Sequence, residues 1–134
     1  MNAAARPAVT VEALEDGTLD VGAFDHEAHV YAAWLFLERY GLLEAVTRYS
    51  AALERLTRRL GVPDKYHATV TWFYLVQIAE RRDREPALDW FAFRRRNDDL
   101  FARGGSLLRR YYRAETLASE RARRLFLLPD RIAG

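Results

Sequence analysis

The sequence predicts an all-α, single-domain helical bundle, with three long antiparallel helices and a set of shorter C-terminal ones. Three observations carry that expectation. Apolar residues recur at three- and four-residue steps over three long stretches. The breaks between those stretches are short and marked by Gly or Pro. No segment shows the strict alternation of a half-buried strand. A chain of 134 residues, half of them apolar and 30% charged, is long enough to bury one core. Residues 18–134 are read as that domain, and residues 1–17, rich in Ala and acids without a sustained period, as a flexible N-terminal tail.

Asp25 reads as an N-cap, with Phe24 before it as a staple residue. From His26 the positions Val30, Ala33, Trp34, Leu37 and Tyr40 form one apolar stripe, which Gly41 ends. A second helix follows almost at once, from about Leu42 to Leu60, on a narrow seam of Val46, Tyr49, Leu53, Leu56 and Leu60. Gly61-Val62-Pro63-Asp64 breaks the chain, with Asp64 in a capping position for a third helix over about Lys65 to Arg81. That helix is apolar nearly all round, the pattern of an element buried between others. Pro86 suits the first position of a fourth helix carrying Leu88, Trp90 and Phe91. Asn97 to Ala102 reads as a short helical turn. Ser106 is placed to cap a brief helix through Tyr112, and another spans about Thr116 to Leu125. Leu127 to Asp130 leaves as an extended tail.

Composition excludes several classes. With no cysteine there are no disulfides, thiolate zinc sites or cysteine nucleophiles, and a reducing cytoplasm is the expected location. No apolar run reaches the roughly 18 residues of a membrane span, and the first ten residues lack the apolar core of a signal peptide. Neither a membrane nor a nucleic-acid partner is expected. The net charge of +2 conceals an acidic start and a basic end: residues 81–134 hold fourteen Arg against eight acids. Those arginines alternate with acids and accompany no nucleic-acid module, so a solvated face explains them better than a nucleic-acid surface. No phosphate-cradling glycine loop is present, no nucleotide cofactor is indicated, and no serine sits in a Gly-x-Ser-x-Gly setting.

The candidate site rests on the chain's three histidines. Short connections join antiparallel neighbours, so the first and third helices should start at the same end of the bundle. His26 and His29 lie in the first turn of one and His67 in the expected first turn of the other. Inward-facing imidazoles from helices about 8–10 Å apart would reach a common centre. Three neutral imidazoles suit a divalent transition metal (Zn, Fe or Cu) with open positions for water or a small-molecule substrate. Asp25 or Glu27 would be a fourth ligand or its support. Two alternatives stay open. One is a metal-free pocket bounded by Trp34, Tyr66, Thr71 and Tyr74, binding a small anionic or aromatic ligand. The other is a protein-interaction module using the basic C-terminal face.

Phe24 to Val30 with Ala33-Trp34, then Lys65-Tyr66-His67-Ala68-Thr69-Val70-Thr71-Trp72, resembles a family of small bacterial helical proteins with His-x-x-His and Tyr-His-x-Thr-x-Thr motifs. The resemblance extends through Asn97 to Leu100, Arg110-Tyr111-Tyr112, Leu117-Ala118-Ser119 and Phe126 to Arg131, and so covers nearly all of residues 17–131. It implies kinship without a chemistry. It also implies a Glu in many relatives where this chain has Ala68, a departure that puts catalysis through that carboxylate in doubt and leaves a three-histidine site possible.

Overall fold

The segment expected to be a tail holds a docked helix instead. α1, Val11–Asp16, is capped by Thr10, whose Oγ1 accepts the Ala13 amide at 2.9 Å, and it ends at Gly17, with φ 81°. Six residues cannot hold a helix in water. Burial of Val9, Val11 and Leu14 supplies what the local sequence lacks. Arg59 donates to the Gly17 carbonyl, and Glu12 and Glu15 pair with Arg39 and Arg48, which fixes α1 across its neighbours. In the computed structural model residues 9–131 are described, so only the part of the expected tail after residue 8 can be compared.

Next come the three longest helices: α2, His26–Arg39; α3, Leu42–Arg59; and α4, Ala68–Arg84. α2 begins as its sequence requires. Asp25 accepts the Ala28 amide at 2.9 Å, and Phe24 stacks on His29, ring centroids 3.9 Å apart. This is a capping residue with a staple between the positions before the cap and four into the helix. α3 buries Ala45, Tyr49, Ala52, Leu53 and Leu56 and leaves Glu54, Arg55, Arg58 and Arg59 in solvent. α2 packs on α3 and α4, and α3 packs on α4. Phe36, Leu75 and Ile78 are completely buried in the core these helices share.

α4 departs from expectation at both its start and its surface. Pro63–Lys65 form a separate 3-10 turn, and the α-helix starts at Ala68 rather than Lys65. Asp64 makes no cap. His67 makes it instead, its Nδ1 accepting the Val70 amide at 3.2 Å. Nor is α4 covered all round: Trp72 and Val76 are 37% and 44% exposed.

The C-terminal third is a chain of short helices: α5, Trp90–Arg96; α6, Ser106–Tyr111; α7, Ala114–Leu117; and α8, Glu120–Arg124. α5 starts four residues after Pro86, because the Asp89 carboxylate takes the Ala92 amide. Ser106 is the first helical residue, and Gly105 holds the cap position with φ 67°. The single helix expected over 116–125 is split by Ser119. Its hydroxyl donates to the Thr116 carbonyl and accepts the Ala122 amide, so a local bond replaces the helical one. After α8 the chain runs extended across the start of α4. Thr69 Oγ1 donates to the Leu125 carbonyl at 2.7 Å and accepts the Leu127 amide at 3.1 Å, and Phe126 stacks on Trp72. Tyr112 donates to the Leu127 carbonyl, and Asp130 accepts from the Arg113 amide and the Thr116 hydroxyl. The described residues contain no β-strand and no helix long and apolar enough to cross a membrane.

Candidate functional site

Each histidine has one ring nitrogen on a backbone carbonyl. His26 Nε2 lies 2.8 Å from the Leu100 oxygen, His29 Nδ1 2.8 Å from the Asp25 oxygen, and His67 Nε2 2.8 Å from the Leu117 oxygen. A carbonyl only accepts, so each of those nitrogens carries the proton and the tautomer follows from the contact. What remains is the opposite nitrogen.

For His67 that nitrogen is taken. Its Nδ1 receives the Val70 amide, so both ring nitrogens are committed within the protein and neither is left to bind an ion. The expected three-histidine centre is therefore not assembled. Among the described residues no group of three or more His, Asp or Glu side chains is arranged to hold a metal ion. The physical cause is the late start of α4. In the first turn His67 would have faced inward with His26; as the capping residue it turns back on the helix end and out to α7.

His26 and His29 do meet, at a cavity of about 320 Å³ between α2, α3 and α4. Phe24, Val30, Ala33, Leu53 and Val70 give it apolar walls, and Tyr49, Thr71 and Tyr74 complete the lining. The volume falls at the lower end of the range for small-molecule sites, which pair apolar walls with a few placed polar groups. The polar groups here are few. Tyr49 donates its hydroxyl to the His29 carbonyl at 3.0 Å, and its burial pushes the phenol well above its usual range. Tyr74 meets His26 edge to face at 5.2 Å, and burial, reinforced by the Asp99 charge, raises its phenol too. Burial lowers the His29 imidazole below its usual range, and the neighbouring His26 charge acts in the same direction. The bond to the Asp25 carbonyl and the Asp25 charge oppose both. His29 is thereby kept neutral, with a lone pair on Nε2.

Of the pocket residues read from the sequence, Thr71 and Tyr74 line this cavity and Trp34 and Tyr66 do not. Trp34 is 6% exposed, packed against Trp90 and Phe93, with the Arg82 guanidinium 5.3 Å from its ring. Tyr66 is half-buried beside Ser50 and Trp72, and that burial raises its phenol. Asp25 lines the cavity while its carboxylate caps α2. Glu27 faces an adjoining cavity and approaches Arg94 at 3.6 Å. The wall residues Tyr49, Leu53 and Val70 were legible only as core seam, since periodicity does not distinguish a packed face from one with a hollow behind it. On the basic C-terminal side, Arg81, Arg94, Arg96 and Arg123 pair with Asp99, Asp98, Glu85 and Asp64. Comparison of the chain with family models, curated proteins and solved structures gives no match.

Proposed function

We propose that the protein binds a small, largely aromatic molecule carrying one hydrogen-bond donor in the cavity between α2, α3 and α4. The observation that carries this reading is His29, which lines a chamber walled largely by apolar side chains and whose bond to the Asp25 carbonyl through Nδ1 leaves the lone pair on Nε2. An aromatic hydroxyl or N–H would donate to it, and the Phe24, Val30 and Leu53 walls would take the ring. An anion fits less well. One amide at each helix start is already taken, Ala28 by Asp25 and Val70 by His67, and the acidic Asp25 itself lines the chamber.

The reading takes α2, α3 and α4 as an antiparallel bundle with α2 and α4 starting at one end. The two-residue link at Tyr40-Gly41 supports it, as do His26 and Thr71, from the starts of α2 and α4, lining one cavity. The cysteine-free composition fits a reducing, cytoplasmic setting.

Titrating ¹⁵N-labelled protein with para-cresol, read on the imidazole nitrogens, tests it. His29 Nε2 should shift and saturate with a Kd of about 1 mM or tighter, the scale for a ligand of so few atoms, and His29→Phe should abolish the saturable shift at the remaining His26 ring, which lines the same cavity. Shifts confined to other parts of the protein would overturn it. Both site imidazoles have the carbonyl support that metal-bound histidines use, so zinc alone is the second titrant. Stoichiometric Zn²⁺ lost in His26→Ala and His29→Ala but kept in His67→Ala would favour a two-imidazole metal site over an aromatic ligand.

A further inference from the structure

His29 gives the chamber a hydrogen-bond acceptor on the α2 side, and α4 brings a donor to it. Thr71 lines the chamber from the start of α4, and among the described residues its hydroxyl has no hydrogen-bond partner. Every other threonine of the chain commits that group. Thr10 accepts the Ala13 amide, Thr18 and Thr116 donate to Asp16 and Asp130, and Thr69 donates to the Leu125 carbonyl. Thr47 and Thr57, inside α3 as Thr71 is inside α4, fold back onto the carbonyl four residues earlier, at 3.0 and 3.1 Å. The equivalent carbonyl for Thr71 is that of His67, which takes the Thr71 amide at 3.0 Å and not its hydroxyl. Nor is this hydroxyl sealed in the core, as the unpartnered indole nitrogen of Trp34 is. Tyr74, three residues on, borders the adjoining cavity as well and is acted on by the Asp99 charge, so the donor that belongs to the chamber and not to its neighbour is Thr71.

What a ligand would bring to that donor follows from the rest of the lining. None of the described residues that line the chamber is a lysine or arginine, so a carboxylate would enter without a counter-charge from the walls. A hydroxyl would bring a proton that needs an acceptor of its own, and the free lone pair of His29 is already used by the first group. A carbonyl oxygen is neutral, accepts strongly and asks for nothing but a donor.

Resting on the reading of the chamber as an aromatic site, we infer that its ligand is a hydroxyaryl carbonyl compound, with its phenol donating to His29 Nε2 and its carbonyl oxygen accepting from Thr71. In the para isomer the two ends are conjugated through the ring. A donor at the carbonyl then draws electron density from the phenol and strengthens its bond to the imidazole.

Three probes of similar size separate this inference from the reading beneath it: para-ethylphenol, para-hydroxyacetophenone and para-hydroxybenzoate. One neutral hydrogen bond changes affinity by roughly three- to tenfold. The ketone should therefore bind Thr71→Val that much more weakly than the wild type, while para-ethylphenol binds both alike. Thr71→Ser, which keeps the hydroxyl, should hold the ketone near its wild-type affinity. The carbonyl ¹³C resonance of the bound ketone should lie downfield in the wild type and move back upfield in Thr71→Val. The benzoate should bind more weakly than the ketone. If para-ethylphenol saturates at the His29 ring and the ketone loses nothing in Thr71→Val, or the benzoate binds most tightly, the carbonyl ligand is wrong and the aromatic chamber stands. If none of the three shifts the His29 ring, both fall together.

Discussion

Replacing His67 with alanine separates a structural histidine from a ligand histidine. In the wild type the ring makes two bonds: its Nδ1 takes the Val70 amide at 3.2 Å, and its Nε2 donates to the Leu117 carbonyl at 2.8 Å. Losing a side-chain cap costs about 1 kcal/mol. Losing the donor to Leu117 costs about another 1 kcal/mol, since the half-buried site lets water replace part of that bond. The sum of about 2 kcal/mol corresponds to a fall in Tm of roughly 6–8 °C for a domain of this size. Urea unfolding followed by circular dichroism, on protein freed of metal by chelation, measures it. His67→Asn restores an oxygen cap but cannot reach Leu117, so it should recover about half the loss. Full stability in the metal-free alanine variant, combined with loss of a bound ion from untreated protein, would refute the assignment and revive the three-histidine centre.

Other substitutions test the remaining contacts. Thr69→Val removes the hydroxyl that holds the Leu125 carbonyl and the Leu127 amide, and should cost about 2 kcal/mol. Trp72 fluorescence should change as Phe126 lifts from it, and an unchanged spectrum would argue against the fastening of residues 125–127 on α4. Asp25→Ala should cost about 1 kcal/mol through the lost α2 cap and leave cresol binding in place, because the backbone carbonyl that positions His29 is kept. Asp25→Ser should restore the stability. For His29 the folded-state affinity for protons is below the ordinary value of 6.5, so the folded protein binds fewer protons than the unfolded chain. This contribution is fully present above about pH 6.5 and is lost as the pH falls from there through the folded-state value. An NMR titration should show His29 protonating below the ordinary histidine range, and His29→Phe should flatten that part of the stability profile. Protonation at or above 6.5 would contradict the burial that the site requires.

Legibility in the sequence followed the strength of the local signals. α2 was readable to within a residue because Phe24, Asp25, the apolar stripe and Gly41 all mark the same boundaries, and α3 because its seam is narrow and its outer face charged. α1 was missed: Val9, Val11 and Leu14 are too few to establish a period, and only their burial against α2 and α3 makes Thr10 and Gly17 meaningful as caps. α4 was placed three residues early at its start. Pro63 and Asp64 look like the opening of a helix, but they open a 3-10 turn, and the residue that caps α4 is an imidazole rather than one of the usual oxygen-bearing types. That one displacement moved His67 from the expected centre to the surface of α7. Trp34 was misread because aromatic residues on an inward stripe look alike whether they fill a core or bound a pocket.

The cap at each helix start determines which imidazoles remain available for chemistry. All three rings donate one proton to a carbonyl, so that contact does not distinguish them. At α2 a carboxylate already serves the free amide, and the histidines one and four residues further on keep their second nitrogens. At α4 no carboxylate stands at the cap position, and the imidazole there is consumed as an acceptor. Supplying α4 with an oxygen cap would not create a third ligand: the side chain at that position points back along its own helix end, and its reach is to Leu117 rather than to the chamber. The candidate site is consequently a two-imidazole arrangement built on α2, and the Tyr-His-x-Thr-x-Thr stretch divides its labour, with His67 and Thr69 fastening the C-terminal chain and Val70 and Thr71 lining the cavity.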